Sequence, residues 1–171
     1  MGRVTLPPTR WFLTAALLAG CPAQAVTTVL NPPPSEVRLR VGAAAAVTTV
    51  AFNITAANAG NGIAIAGAPA NIVITAEARE AGCAAKSATL SVTTPANLAS
   101  GPNTIPFSTI SWISSDADIP SGTYLSPGTF TLATFSNCRR VTNTRTFNFS
   151  NLQVFPSGAY SGTATYTLSM P

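Results

Sequence analysis

Short segments in which apolar and polar residues alternate recur along most of this chain of 171 residues. Two arginines separate Val37, Leu39 and Val41, and comparable alternating, β-branched or aromatic-rich segments follow at 50–55, 63–66, 72–75, 88–93, 105–113, 130–135, 146–149 and 159–169. A two-residue period sends successive side chains to opposite faces of a β-strand, and no segment sustains the 3.6-residue period of an amphipathic helix. Turn-forming residues separate these segments roughly every ten residues. The pattern predicts an all-β fold, an antiparallel β-sandwich of about 8–10 short strands.

The residues between these segments predict the connections. Gly, Asn, Asp, Ser and Pro are concentrated at 57–62, 95–103 and 116–122, so we expect turns at the first and third of these ranges and a loop at the second. An Ala-rich stretch at 76–81 allows one short helix or turn. No other segment favours helix.

The N-terminal residues have the pattern of an export signal. Arg3 and Arg10 precede an apolar run at 11–20, and Ala23-Gln24-Ala25 supplies a small-residue cleavage motif. We therefore predict a signal peptide over residues 1–25, cleaved between Ala25 and Val26. A helix of ten residues spans about 15 Å, half of a bilayer core of about 30 Å, so a permanent membrane span is not expected.

A second interpretation of the same region stays open. Leu18-Ala19-Gly20-Cys21 resembles the bacterial lipobox, in which Cys21 would be lipidated and become the new N-terminus. On that interpretation the chain contacts a membrane only through the lipid at Cys21. Both interpretations place the protein outside the cytoplasm, in the periplasm, at the cell surface or in the medium. Residues 26–36 then form a Pro-rich extended lead-in, and residues 37–171 form the β-sandwich domain.

The cysteines predict one disulfide. Once Cys21 is removed or lipidated, Cys83 and Cys138 remain, and a cysteine pair in an exported protein is typical of a disulfide bond. The alternative is two separate buried thiols. A reactive thiol is not expected, because the chain has no histidine to activate it.

Charge and composition exclude several function classes. Only 8% of the residues are charged, against about 25% in a typical soluble domain. Because acid–base groups that work at neutral pH are nearly absent, we predict no enzyme, no cofactor and no metal site. Loss of Arg3 and Arg10 with the signal leaves a net charge of +2, from seven basic and five acidic residues, which gives no basis for nucleic-acid binding.

Three groups of residues are candidate sites, each with a plain structural alternative. Trp112 and Tyr124 flank the 116–122 turn and could form a glycan-stacking surface, although most aromatic residues of such a domain belong to its core. Two carboxylates in that turn could bind calcium, or could simply be solvated. The arginines could bind anionic glycan or lipid head groups, or could be ordinary surface charge; they are Arg139, Arg140 and Arg145, and Arg38 with Arg40 on one strand face.

The C-terminal run carries a resemblance to a known class. Residues 158–167 read GAYSGTATYT and resemble the G-x-Y-x-G-T-x-T-Y-T run of bacterial Ig-like modules. In that fold such a tyrosine, here Tyr160, opens the strand before last and fixes its corner. Only eleven residues follow Tyr160, so the resemblance implies that the last Ig strand is missing.

Pilus subunits of the chaperone–usher type have this incomplete form, and they too carry a tyrosine close to the C-terminus, where Tyr166 stands here. The resemblance implies an Ig-like sandwich completed by strand pairing with other envelope or pilus proteins. Val26–Leu30, the possible donor segment, is short and stops before three prolines, so a terminal subunit, or completion by the chain's own residues 37–41, remains open. The predicted function is an exported structural or adhesive cell-surface protein, possibly of pilus type; the alternative is a lipid-anchored or secreted glycan-binding module.

Overall fold

The structure is a computed structural model that describes residues 36–42, 48–80, 86–125 and 127–171. The predicted signal peptide, its cleavage site, the candidate lipidation site Cys21, the lead-in up to residue 35 and Cys83 lie outside the described residues.

The described residues form an all-β fold, as the alternation predicts. Eleven strands are present, and a 3₁₀ turn at Phe107–Thr109 separates the sixth from the seventh. The strands are β1 Glu36–Val41, β2 Ile65–Ala66, β3 Ile72–Arg79, β4 Ser87–Thr94, β5 Asn97–Ser100, β6 Asn103–Pro106, β7 Ile110–Ser114, β8 Gly122–Thr123, β9 Gly128–Ser136, β10 Arg139–Phe149 and β11 Thr165–Ser169.

Six strands form the larger sheet, in which all pairs are antiparallel. Its order is β1-β3-β10-β7-β8, and β2 pairs with one end of β10. β10 is the long central strand, and its side chains alternate between the buried and the outer face along most of its length. This alternation is the physical reason that the strand period could be read from the sequence.

A second sheet has the order β11-β4-β9, again antiparallel. The register between β4 and β9 shifts after Leu90, where Ala133 is its partner, whereas Ser91 pairs with Thr131. Leu132 is therefore the extra residue of a β-bulge, which explains why Leu132 and Ala133 are both buried although they are adjacent. β5 and β6 form a separate two-stranded hairpin.

The buried faces of both sheets contribute to one hydrophobic core. The larger sheet supplies Ile74, Ala76, Val141 and Phe147, and the smaller one supplies buried residues that include Ala88, Leu90, Val92, Phe135 and Leu168. An all-β fold built of antiparallel sheets is the coarse architecture that the sequence predicts.

Two local predictions are wrong. The Ala-rich stretch at 76–81 forms no helix as far as Arg79, because Ala76 and Ala78 lie on the buried face of β3, where their small side chains fit. The range 95–103, expected as a loop, contains β5 and the turn of the β5–β6 hairpin. Gly101 takes a positive φ of 57° in that turn, a conformation in which a Cβ would be strained.

Two other segments are less regular than expected. Of residues 50–55, only Ala51 forms a β-bridge, with Ala68, and the segment is not a strand. The expected long strand at 159–169 is regular only from Thr165 onward; before it, Ser161 bridges Ala99 of β5.

Candidate functional site

The edge of β11 is the candidate site. β11 pairs with β4 over five residues, from Thr165 opposite Thr93 to Ser169 opposite Thr89. Within the described ranges β11 has no second ladder partner. Alternate backbone N–H and C=O groups of an edge strand point away from its only neighbour, so this edge can accept another strand.

β1 lies beside this edge without completing the sheet. Its residues pair with β3 in the larger sheet, from Glu36 opposite Arg79 to Val41 opposite Ile74. β1 and β11 pack against each other, but they share no ladder. Completion of the β11 sheet by residues 37–41, which the sequence left open, is therefore not what the structure shows.

Apolar side chains on both strands are only partly covered here. Leu39 and Val41 of β1, together with Tyr166 and Met170 at β11, are partly buried and pack on the edge of the core. In contrast, Leu168 between them is buried. We name the unpaired edge of β11 and these four side chains the β1–β11 edge. A strand added there would cover apolar surface as well as pair backbone groups.

The other edge of the same sheet is less suited to strand addition. β9 carries the bulge at Leu132, and a bulge twists a strand and interrupts the regular spacing of its hydrogen-bonding groups. The β11–β4 ladder has no register shift over its five pairs. Regularity therefore favours β11 as the edge that receives a partner.

Tyr166 connects this edge with the opposite sheet. Its hydroxyl lies 2.7 Å from that of Tyr124, which directly follows β8. Burial, the largest cause, raises the pKa of Tyr166, and the positive charge of Arg145 partly opposes it. Burial likewise raises the pKa of Tyr124 well above 10.0, helped by the Tyr166 hydroxyl. Both hydroxyls are therefore neutral at physiological pH and act as a hydrogen-bonded pair.

Arg145 is a fully buried cation on the inner face of β10. Its exposed fraction is 0%, and its side-chain nitrogens have no hydrogen-bond partner among the described residues. The guanidinium carbon lies 4.8 Å from the ring centroid of Trp112 and 5.9 Å from that of Tyr166. Aromatic faces attract a desolvated cation, and an arginine side chain does not become neutral by losing a proton in a protein. The rings are thus the groups that stabilise this charge.

Trp112 and Tyr124, predicted as a possible glycan-stacking surface, lie in the core instead. They are 5% and 3% exposed, and their ring centroids are 4.9 Å apart. The Trp112 indole N–H donates to the carbonyl oxygen of Pro120 at 2.8 Å, and a Cβ on Gly122 would lie only 2.8 Å from the indole ring. Neither ring offers a face to solvent, so a glycan-stacking surface would need other residues.

The two carboxylates of the 116–122 turn are exposed, whereas Ile119 between them and Pro120 is buried. The Asp118 N–H donates to Asp116 Oδ1 at 3.0 Å, and the Arg139 guanidinium contacts both carboxylate oxygens of Asp118 at 2.7 and 2.8 Å. A hydrogen bond from the Asn143 side chain is the largest cause that lowers the pKa of Asp116, and a hydrogen bond from the Ser115 side chain lowers it further. Within the described residues, no group of three or more potential metal-ligating side chains is present.

The predicted cluster of three arginines is divided by the strand geometry. Arg139 pairs with Asp118, Arg140 lies on the outer face of β10, and Arg145 lies on the inner face. Arg140 instead shares a sheet face with Arg38 and Arg40, since β1, β3 and β10 are neighbours. The sequence could not show this grouping, because it depends on strand order.

Cys138 and its neighbour Asn137 contact Glu80 and Lys86, the described residues that flank 81–85. The Cys138 sulfur lies 3.7 Å from the carbonyl oxygen of Glu80, and the N–H of Asn137 donates to the carbonyl oxygen of Lys86 at 3.0 Å. Cys83 itself lies outside the described residues, so its bond with Cys138 stays a prediction.

Tyr160 bonds back to the chain just before it. Its hydroxyl donates to the carbonyl oxygen of Pro156 at 2.8 Å, four residues upstream in the chain. A tyrosine hydroxyl bound to backbone a few residues earlier is the geometry of the corner in Ig-like sandwiches. Tyr160 precedes β11 rather than lying in it.

No protein-family model matches the chain, and no match was found among curated proteins or solved structures. In the part of the chain that the structure describes, no helix is both long and apolar enough to cross a membrane.

Proposed function

We propose that this chain is an exported structural or adhesive cell-surface protein of the pilus-subunit kind, whose Ig-like β-sandwich receives a strand from a partner. The observation that carries the proposal is the β1–β11 edge, where a regular strand has one ladder partner and the apolar side chains beside it are partly exposed. The function is then burial and strand pairing rather than catalysis.

Three further features support the Ig-like sandwich within this proposal. The two larger antiparallel sheets share one core, the Tyr160 hydroxyl bonds back to Pro156, and from β8 to β11 successive strands belong in turn to the larger and the smaller sheet. Such alternation is typical of Greek-key sandwiches. The Thr- and Ser-rich outer positions also suit a protein that is covered by partners, since few charges protect its edges.

The partner strand is expected to come from a different protein. In the sequence, Val26–Leu30 offers five residues of strand-like character before Asn31 and three prolines, and prolines cannot donate to a ladder. A chain of this kind is better suited to accept a strand than to donate one to an identical copy. The proposed role requires export, and the signal pattern of residues 1–25 is the feature that supports export.

Hydrogen–deuterium exchange on the purified mature chain tests the proposal. We expect amides of β11 that point away from β4 to exchange faster than the amides of β4, which has partners on both sides. A short peptide of alternating valine and threonine should slow exchange in β11 and raise the melting temperature. The matched control is the same peptide with proline at its central positions, which should do neither.

Two results would contradict strand acceptance. One is a stable monomer whose β11 amides are as protected as those of β4 and do not respond to either peptide. The other is equal protection by the alternating and the proline-containing peptides, which would indicate nonspecific adsorption. Co-purification with a periplasmic chaperone, detached by the alternating peptide, would support the proposal.

A further inference from the structure

Arginines from two strands meet on the outer face of the larger sheet. Arg38 and Arg40 project from β1, Thr75 and Glu77 from β3, and Arg140 from β10. These residues and Leu39 line a shallow depression of about 220 Å³. This face lies on the opposite side of the sheet from the core.

The strand register sets the spacing of the charges. Glu77 lies opposite Arg38 on one side and opposite Arg140 on the other, and Thr75 lies opposite Arg40. Neighbouring strands are about 4.8 Å apart, so the Cα atoms of Arg38 and Arg140 are separated by about 10 Å. Side chains as long as arginine can reach a single anionic group from both sides at that separation.

The carboxylates on this face neutralise only part of its positive charge. Arg38 is paired with Glu36, and Arg79 Nε lies 2.5 Å from Glu77 Oε1. Arg40 instead donates to the backbone carbonyl oxygen of Gly42 at 3.1 Å. Considering the described residues alone, Arg40 and Arg140 have no ion-pair partner. Two exposed guanidinium groups therefore remain to bind an external anion.

We propose that this arginine face binds a polyanionic polysaccharide through the sulfate, phosphate or carboxylate groups repeated along its chain. Guanidinium groups form paired, charge-assisted hydrogen bonds with such oxyanions, and the Thr75 side chain adds a hydroxyl. Positive charges on β1 and β10, which lie on either side of β3, suit an extended polymer with repeated anionic groups. This activity does not depend on strand acceptance at β11.

The lining of the depression favours a polysaccharide over a membrane surface. Leu39 is its one apolar residue, and it is half-buried. Proteins that insert into the lipid interface usually present exposed aromatic or large aliphatic side chains beside their cationic groups. The lining also has no aromatic ring on which a nucleic-acid base could stack.

Binding of dextran sulfate, with neutral dextran as the reference polymer, tests this site. The double variant Arg40→Gln/Arg140→Gln should bind dextran sulfate about tenfold or more weakly, because each substitution removes a charge-assisted contact. The matched control, Lys86→Gln/Arg139→Gln, removes the same two charges from groups that pair with Glu80 and Asp118 elsewhere. It should change the affinity by no more than about twofold.

Several outcomes would overturn the proposal. One is an unchanged affinity of Arg40→Gln/Arg140→Gln for dextran sulfate, and another is an equal loss of affinity in the control variant. The third is tighter binding of the wild type to phosphatidylglycerol vesicles or to single-stranded DNA than to dextran sulfate. Circular dichroism checks folding, and Arg40→Lys/Arg140→Lys gives a second test if the glutamine pair fails to fold. The lysine pair keeps the charge but loses the paired geometry, so it should bind with intermediate affinity and a similar salt dependence.

Discussion

The phenolic oxygens of Tyr124 and Tyr166 lie 2.7 Å apart and join the segment after β8 to β11. Tyr124 directly follows β8 of the larger sheet, and Tyr166 lies in β11, the edge strand of the smaller sheet. The bond therefore fixes the position of β11 from inside, while one of its backbone edges has no ladder partner in the described chain. An internal tether of this kind helps to hold an edge strand in register.

Removal of one hydroxyl of this pair should destabilise the fold. We expect Tyr166→Phe to lower the free energy of unfolding by about 1–2 kcal/mol, because the buried Tyr124 hydroxyl loses its partner. The double variant Tyr124→Phe/Tyr166→Phe should cost less than the sum of the two single changes, with a coupling of about 1 kcal/mol. Urea denaturation at neutral pH measures the free energy of unfolding of the wild type, the two single variants and the double variant. Strictly additive effects would contradict the bond.

The same pair predicts a loss of stability in alkali. Burial raises the pKa of both tyrosines above 10.0, so the folded chain keeps their protons at pH values where the unfolded chain releases them. The stability they contribute is complete below about pH 10 and is lost as pH rises through the raised pKa values. Above pH 10 we expect the free energy of unfolding to fall by up to about 1.4 kcal/mol per pH unit for each tyrosine.

Urea denaturation from pH 9 to 11.5, with tyrosine absorbance at 295 nm followed in parallel, measures this effect. The double phenylalanine variant is the control and should show a shallower decline. Tyr160, whose hydroxyl is bonded outside the core, is present in both proteins and cancels. Equal slopes in the two proteins would contradict the assignment.

Much of the fold follows from alternation alone, because each strand of the two larger sheets has one buried and one outer face. Within β3 and β10, residues 72–75 and 146–149 were predicted as strand for this reason, whereas residues 76–79 and 139–145 were not. The β5–β6 hairpin was not, since its residues are Pro-, Gly- and Asn-rich and it is held by tertiary contacts, such as the Ala99–Ser161 bridge and the packing of Gly162 on Leu98. Those contacts join residues far apart in sequence.

The interior site was harder to predict than the strands. Trp112 and Ile113 are adjacent and both apolar, so a two-residue period cannot tell which one faces the core; Ile113 proves 62% exposed. The inward orientation of Arg145 could be predicted in part, because Arg145 is an even number of residues from both Val141 and Phe147 along β10 and so lies on the same face. Its charge argued for the surface, and only the positions of the Trp112 and Tyr166 rings explain its burial.

The buried position of Arg145 predicts an unusual order of stability among its variants. Methionine fills a similar volume without a charge, whereas lysine brings a more strongly hydrated ammonium that cannot stack as a plane. We expect Arg145→Met to be more stable than Arg145→Lys by about 2 kcal/mol in urea denaturation at neutral pH.

A pH series distinguishes this explanation from a simple packing defect. In Arg145→Lys, burial should lower the pKa of the introduced amine in the folded state, so the unfolded chain binds more protons and stability rises from pH 7 to 10. Arg145→Met has no such group and should show no rise. A lysine variant as stable as the wild type, with a flat profile, would show that the side chain reaches solvent.

The position of Cys138 leads to the last prediction, a bond with Cys83. Glu80 and Lys86, the residues on either side of 81–85, both contact the β9–β10 turn, and the Glu80 carbonyl oxygen lies 3.7 Å from the Cys138 sulfur. The chain-entropy model assigns a loop of this length about 4 kcal/mol of stabilisation. We expect Cys83→Ser and Cys138→Ser each to lower the free energy of unfolding by about that amount, and dithiothreitol to do the same to the wild type.

Peptide mapping of the purified protein without reductant gives the direct measurement. One cross-linked pair of peptides that contains residues 83 and 138, and separates on reduction, is the expected result. The Cys83→Ser/Cys138→Ser double variant is the control, because dithiothreitol should leave its stability unchanged. Two thiols that both react with a maleimide in the unfolded, unreduced protein would instead support separate cysteines, the alternative that the sequence left open.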